Sequence, residues 1–410
     1  MRTSELNIRT GRALLSDVPE IHLTDPEVLR DPFTAYSPVR ERSPIAKLVA
    51  PGLEMWAILR HEEARKMLSD PRFALSPASY QRMEIPEHCR PYMRSMQEVE
   101  GPEHVRLRRL VAPAFTPRKA AALRPGIERL VDDLLDSLAG EERIDLVTAF
   151  ARPLPVDVIC ALVGIAEADR PRWREYGTMV AAGDGPGLSK AVPAIVEDSL
   201  AAIEKRKLEP AEDVVSQLLQ IQAEDGDRLS ETELVALVWQ LVLGGQVPGN
   251  LIANAVEILL SHPAQLAELR EDPALMPGAV EELMRWCSPQ LLTVPRITTT
   301  DVRIGDVAIP EGAPVTVAIA AVNRDPRAFP EPDVFDIRRA AGPAWHLAFA
   351  HGPHFCLGAS LARVQTEVAL TALLRRFPDL ALADGLLRIP DPGTWRLNAL
   401  PVTLHATVAN

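Results

Sequence analysis

Apolar residues recur three and four positions apart over most of the chain, and they alternate only in short pieces. The segments 62–68, 120–138, 155–163, 191–207 and 231–261 carry the helical spacing, and residues 56–59, just before the first of them, read as a strand. The segment 231–261 is apolar on nearly every face, with Leu234, Leu237, Leu241, Ile252 and Val256 leaving little polar surface, so a long buried helix is expected there. Ser230 with Glu233 forms a capping box at its start, and His262-Pro263 marks its end. Near its middle, Gly244-Gly245-Gln246-Val247-Pro248-Gly249 is expected to weaken or kink it, because proline supplies no N–H to the ladder and glycine is a poor helix former.

Past Arg285 the pattern changes to short extended runs at 302–304, 307–309 and 315–318, separated by Gly305-Asp306 and Glu311-Gly312 turns. A Pro-rich irregular stretch follows from 323 to 338, then a cysteine-containing loop, a final helix over 357–376 and C-terminal strands. The fold class expected is mainly α with small β sheets. No repeat, low-complexity linker or charge block divides the chain, so residues 1–410 are expected to form one domain, with 1–24 a flexible or loosely packed N-terminal segment.

Composition narrows the function. A net charge of −12 over 410 residues argues against a general nucleic-acid or anionic-membrane binder, since both reward clustered Lys and Arg. The start, Met1-Arg2-Thr3, leads into polar sequence without an apolar leader, and no stretch is read as crossing a bilayer. The four cysteines, Cys89, Cys160, Cys287 and Cys356, are far apart and match neither a disulfide scaffold nor a paired zinc site. They are read as reduced thiols of a soluble, cytoplasmic protein, expected as a monomer. Cys89, Cys160 and Cys287 fit small buried hydrophobes.

Cys356 is different because of its position. It lies in Phe349-Ala350-His351-Gly352-Pro353-His354-Phe355-Cys356-Leu357-Gly358, just before a helix whose unpaired N–H groups favour a thiolate. Phe349, Gly352, His354, Cys356 and Gly358 stand at the spacing FxxGxHxCxG, and this resembles the haem-binding signature of cytochromes P450. Where Ala350 stands the family usually has glycine.

Glu282 and Arg285 match the family's ExxR motif, Arg338 fits the third member of its buried ion network, and Asn323-Arg324-Asp325-Pro326 through Phe329 and Phe335 is similar to its meander. Alone, ExxR is an ordinary helical i, i+3 ion pair. In this company it adds to a resemblance that runs from about Asp25 onward.

The resemblance implies a cytochrome P450 fold with haem b between the central helix and the cysteine loop, and Cys356 as axial thiolate. Such a ligand pushes electron density in the direction that favours O–O cleavage. Phe349 would shield the sulfur, Gly358 would let backbone approach the macrocycle, and His104, Arg108, Arg296 and His354 would face the two propionates. Arg106 and Arg109 are candidates for a basic docking surface, or for a solvated helix face.

In the family the central helix carries an acid and a threonine that organise water and pass protons, which oxygen activation consumes at an apolar site. Here the aligned residues Gly245, Gln246, Val247 and Pro248 put Val247 at the acid position and Pro248 at the threonine position. Neither side chain moves a proton. Gln246, backbone carbonyls freed at Pro248, or a polar group of the substrate would have to replace the relay.

The function implied is a haem-thiolate oxidase or monooxygenase acting on a small hydrophobic or amphipathic metabolite in secondary-metabolite or antibiotic biosynthesis. Electrons would come from a separate ferredoxin and ferredoxin reductase, with peroxide as an alternative, because no nucleotide-binding GxGxxG follows a strand. Oxidative ring closure, C–C or C–N coupling, or desaturation without oxygen insertion is the alternative that Val247-Pro248 raises. A non-catalytic P450-like helper is a second, against which the intact ligand loop stands. Substrate contacts are expected in 76–99, 183–190, 242–247, 291–294 and near Trp395, with Leu243, Val247, Leu292, Val294 and Trp395 as named candidates, and with Tyr80 and Trp239 equally readable as core or surface.

Overall fold

A computed structural model describes residues 18–76, 79, 84–182, 185–224, 229–339 and 345–405. Ten helices frame the site: α1 (His61–Ser69), α2 (Gly101–Val111), α3 (Arg124–Asp136), α4 (Pro153–Val163), α5 (Arg170–Ala182), α6 (Gly185–Leu208), α7 (Glu231–Gly244), α8 (Pro248–Ser261), α9 (Met276–Trp286) and α10 (Ala359–Arg376). The expected segment 120–138 divides at Leu123 into Pro117–Ala122 and α3. Helix α10 starts two residues later than its apolar pattern, because Cys356 and its neighbours form the turn that leads into it.

The main sheet has six strands: β1 (Glu20–His22), β2 (Ile45–Ala50), β3 (Leu53–Ile58), β4 (Phe73–Ala74), β5 (Arg296–Thr298) and β6 (Pro314–Val317), in the spatial order β1-β2-β3-β6-β5-β4. Strands β2 and β3 form a hairpin in which Ala50 pairs with Leu53, β3 runs parallel to β6 with Ala57 opposite Thr316, and β5 lies between β6 and β4, with Thr298 opposite Phe73. This order carries Arg296 from late in the chain to the strand beside Phe73. Strand β1 corrects the expectation for the N-terminal segment: Ile21 and Leu23 are buried, and Ile21 pairs with Leu48. Residues 1–17 lie outside the described residues. The segment 291–294 is not a strand but an extended run with a single bridge from Leu292 to Ala318.

The central segment contains two helices, α7 and α8, joined through Gly245, Gln246 and Val247. Its start is as the sequence predicts: Ser230 Oγ accepts the Glu233 N–H and the Glu233 carboxylate accepts the Ser230 N–H, a device that stabilises a helix by about 1 kcal/mol. Pro248 opens α8, where its missing N–H costs little. Gly245 and Val247 keep right-handed dihedrals, so the two helices follow one another through a displaced turn. The stretch Glu231–Ser261 is, by length and composition, apolar enough to cross a membrane, which departs from the sequence reading. Its apolar side chains are buried in the core, Leu234, Val238, Ile252 and Val256 among them, and that packing accounts for their character. Helices α3, α8 and α9 all pack on α10, which sets the cysteine loop at the centre of the helical layer.

Candidate active site

The cysteine loop is built by backbone. Ala350 N–H donates to Leu347 O, Phe355 N–H to Gly352 O and Cys356 N–H to Phe349 O, at 2.9, 3.0 and 2.9 Å. Gly352 has φ +75°, and a Cβ there would lie 2.5 Å from Leu68 O, so only glycine fits between this loop and α1. Ala350 holds φ +59° where the family favours glycine, a conformation that costs an L-residue about 1–2 kcal/mol.

Cys356 keeps accessible surface, unlike the other three cysteines, which are buried. Burial pushes its thiol above the usual range, and the Gly358 N–H with the Arg108 and Arg363 charges pulls the other way. Behind it, the Arg363 guanidinium lies 4.7 Å from the Phe349 ring centroid. Glu281 holds Arg363 at 2.9 Å and stands 3.2 Å from His346 Nε2. Burial opposes ionisation of Glu281, but these two donors outweigh it and keep its carboxyl well below the usual range.

The four expected propionate partners converge. His104 on α2 is buried with its ring 4.0 Å from that of His354, and Arg108, one turn along, donates to Phe355 O at 2.6 Å. Arg296 donates to Leu68 O at 2.9 Å, the same carbonyl that Gly352 approaches. His354 Nε2 stands 3.0 Å from Glu100. Burial, followed by the charges of His354 and Arg108, lowers the His104 pKa to about 4. Four basic side chains, with Glu100 beside His354, fit a ligand that brings two carboxylates, as haem does. Gly358 and, on the central helix, Gly244 would each carry a Cβ into open space, which suits walls that receive a flat ring. Arg106 belongs elsewhere: it is tied to Glu233 of α7, which leaves Arg109 as the exposed member of that pair.

Glu282 and Arg285 on α9 form a fully buried bidentate pair at 2.7 and 2.8 Å, and Arg285 also donates to the carbonyls of Asn323, Pro332 and Val334. The third member is Arg339, not Arg338. Arg339 Nε donates to Glu282 at 3.1 Å and its remaining N–H groups reach Pro330, Glu331 and Val334 carbonyls, whereas Arg338 points outward to Glu268 at 2.6 Å. The Asp336 side chain accepts the Arg338 N–H, and the resulting turn sends the next side chain inward.

Around the break the faces separate. Gly245 packs against Ile159 of α4, where a Cβ would sit 2.5 Å from the isoleucine. Gln246 points to α5, with its Oε1 2.9 Å from where a Cβ on Gly177 would be. Its side chain therefore packs toward α5, whereas a Cβ on Gly244 would point into open space. Pro248 has no N–H for the Gly244 carbonyl, and the Gly249 and Asn250 N–H groups donate to Gln246 and Val247 at 2.9 and 3.1 Å. The Gly244 and Gly245 carbonyls thus lose their helical donors.

Of the substrate candidates, Val294 is exposed in a short run that leads directly to buried Arg296. Leu243 is buried in the main core, Leu292 packs on the cluster beneath the sheet, and Trp395 is held between Arg388, 3.8 Å from its ring, and Phe33 at 5.4 Å. These three are engaged in packing. Trp239 donates to Tyr92 O at 2.9 Å, Tyr80 lies outside the described residues, and 183–190 becomes the start of α6 from Gly185, with 183 and 184 also outside. Glu100, Glu281 and Arg363 were not singled out in the sequence; Arg363, seven residues past the cysteine on the helix it precedes, had a spacing that pointed to it.

A helical frame that presents a surrounded cysteine beside converging cations is that of a haem-binding oxidoreductase. A family model described as Cytochrome P450 matches residues 189–381. Cytochrome P450 107B1 of Saccharopolyspora erythraea is 41% identical over 396 residues, covering 94% of this chain and 96% of that protein. The cytochrome P450 monooxygenase PikC of Streptomyces venezuelae is 38% identical, covering 91% of each. The crystal structure of P450BioI in complex with hexadec-9Z-enoic acid ligated acyl carrier protein superposes with a TM-score of 0.84 at 35% identity, over 92% of this chain and 100% of that one. The chain belongs to the cytochrome P450 family, and it is an oxidoreductase of the monooxygenase kind.

Proposed function

We propose that this chain is a haem b monooxygenase in which Cys356 is the thiolate ligand and His104, Arg108, Arg296 and His354 hold the propionates. The observation that carries the reading is the convergence of these four basic groups beside a surrounded yet accessible thiol. When bound, haem supplies the activation of dioxygen. The chain's own residues set the conditions. The Gly358 N–H and the Arg108 and Arg363 charges favour the thiolate, and Phe349 covers it. Val247 and the exposed Val294 would supply apolar contacts suited to a small hydrophobic or amphipathic metabolite of secondary metabolism. The acyl-carrier-protein complex of the similar P450BioI supports an amphipathic substrate. Electrons come from a ferredoxin and its reductase.

Protons reach the site by water held on the Gly244 and Gly245 carbonyls, which take the place of the acid and threonine side chains. The test is the mass of the turnover product made with labelled dioxygen, using a substrate found by its shift of the haem absorption band. Gain of one labelled oxygen is expected. Loss of two hydrogens without label would overturn the monooxygenase reading in favour of a ring-closing or desaturating oxidase.

A further inference from the structure

Glu281 and Glu282 are neighbours on α9, and the helix sends their side chains to different places. Glu282 turns into the buried network with Arg285 and Arg339, whereas Glu281 faces α10 and the cysteine loop. Both Glu281 oxygens accept from Arg363, one of them from Nη2 at 2.9 Å, and that same oxygen stands 3.2 Å from His346 Nε2. A planar guanidinium held by two bonds to one carboxylate keeps a single orientation. That orientation lays Arg363 over the Phe349 ring at 4.7 Å, and the Phe349 carbonyl accepts the Cys356 N–H at 2.9 Å. The His346 ring, also on Glu281, lies 5.8 Å from that of Phe349. The cationic end of the pair is the end turned to the loop, because the charge that lowers the Cys356 thiol from this side is that of Arg363. The two side chains keep 30% and 29% of their surface exposed, so hydration holds the effect to a modest size.

We infer that Arg363 and Glu281 form a positioning pair that sets the reduction potential of the axial site, Arg363 raising it and Glu281 restraining the rise. The inference rests on the haem-thiolate reading. One electron, supplied by dithionite in the experiment, turns the ferric centre ferrous, and a cation behind Phe349 favours the added negative charge. Neither residue touches substrate. Both act through Phe349 and the loop that carries Cys356.

The experiment is a spectroelectrochemical titration of the holoenzyme with dithionite and mediators, in the wild-type protein and in Arg363→Gln, Glu281→Gln and Arg363→Lys. Arg363→Gln is expected to lower the reduction equilibrium constant about threefold, roughly 30 mV for one electron. Glu281→Gln, which leaves the Arg363 charge uncompensated, is expected to raise it by a similar factor, and Arg363→Lys, which keeps the charge, to stay close to wild type. Loosening of the loop would move both Gln variants in one direction, so opposite shifts separate charge from packing. Unmoved potentials, or shifts of the same sign in the two Gln variants, would overturn the pair's role. Should Arg363→Gln lose haem, Glu281→Gln still decides, since a potential that does not rise there overturns the inference. The carbon monoxide difference spectrum is recorded on each sample. A red-shifted band with unmoved potentials leaves the haem-thiolate reading standing while this inference fails, and absence of the band from the wild-type protein would overturn both.

Discussion

Two adjacent arginines show how a single turn decides which charge matters. Arg338 and Arg339 are equivalent as residue types, yet Arg338 pairs with Glu268 in solvent and Arg339 closes the buried Glu282–Arg285 network. Sequence spacing cannot separate them, because the stretch has no regular period and the Asp336 turn, visible only in three dimensions, chooses the inward side chain. Removing one partner from a buried ionic network is costly, whereas an exposed pair contributes little. Arg339→Ala is therefore expected to lower unfolding stability by about 3 kcal/mol in denaturant titration. Arg338→Ala should leave the midpoint where it is, and the reverse ordering would contradict the assignment. At Ala350 the sequence already showed an unusual residue where the family has glycine, and the positive φ explains that preference.

At the scale of elements, the central segment was legible in its capping box, its buried character and its weak middle, because all three rest on local rules. Which way Gln246 faces was not read, although helical phasing held the information. Counting 100° per residue puts Gln246 on the far side of the helix from Gly244 and Pro248, and the packing of Gly245 on Ile159 fixes the phase. Side-chain candidates such as Leu243 and Trp395 rested on residue type, which cannot distinguish a pocket wall from a core contact, and both pack against protein here. The break makes its own prediction. Val247→Glu with Pro248→Thr returns an N–H to the Gly244 carbonyl and two proton-handling side chains to the cleft face. A several-fold change in the share of consumed electrons that appears in product is expected. Unchanged coupling and unchanged product would show that the broken helix has no part in proton supply.

Across the whole molecule, the mainly helical fold with small sheets and the cysteine signature were readable because helical periodicity and a dense motif are local in sequence. The basic group proposed to face the propionates was readable only through the family resemblance. His104, Arg296 and His354 come from α2, β5 and the cysteine loop, and chain order says nothing of their meeting until the sheet order β1-β2-β3-β6-β5-β4 brings Arg296 beside Phe73 and Leu68. Glu100 and the Glu281–Arg363 pair belong to the same long-range arrangement.

The central claim is that Cys356 ligates the haem as a thiolate, and the carbon monoxide difference spectrum of the reduced protein tests it most directly. The wild-type protein is expected to show the red-shifted Soret band that thiolate ligation opposite carbon monoxide produces, and Cys356→His is expected to retain haem while moving the band to the position of imidazole-ligated haem proteins. A red-shifted band that survives in Cys356→His would contradict the account.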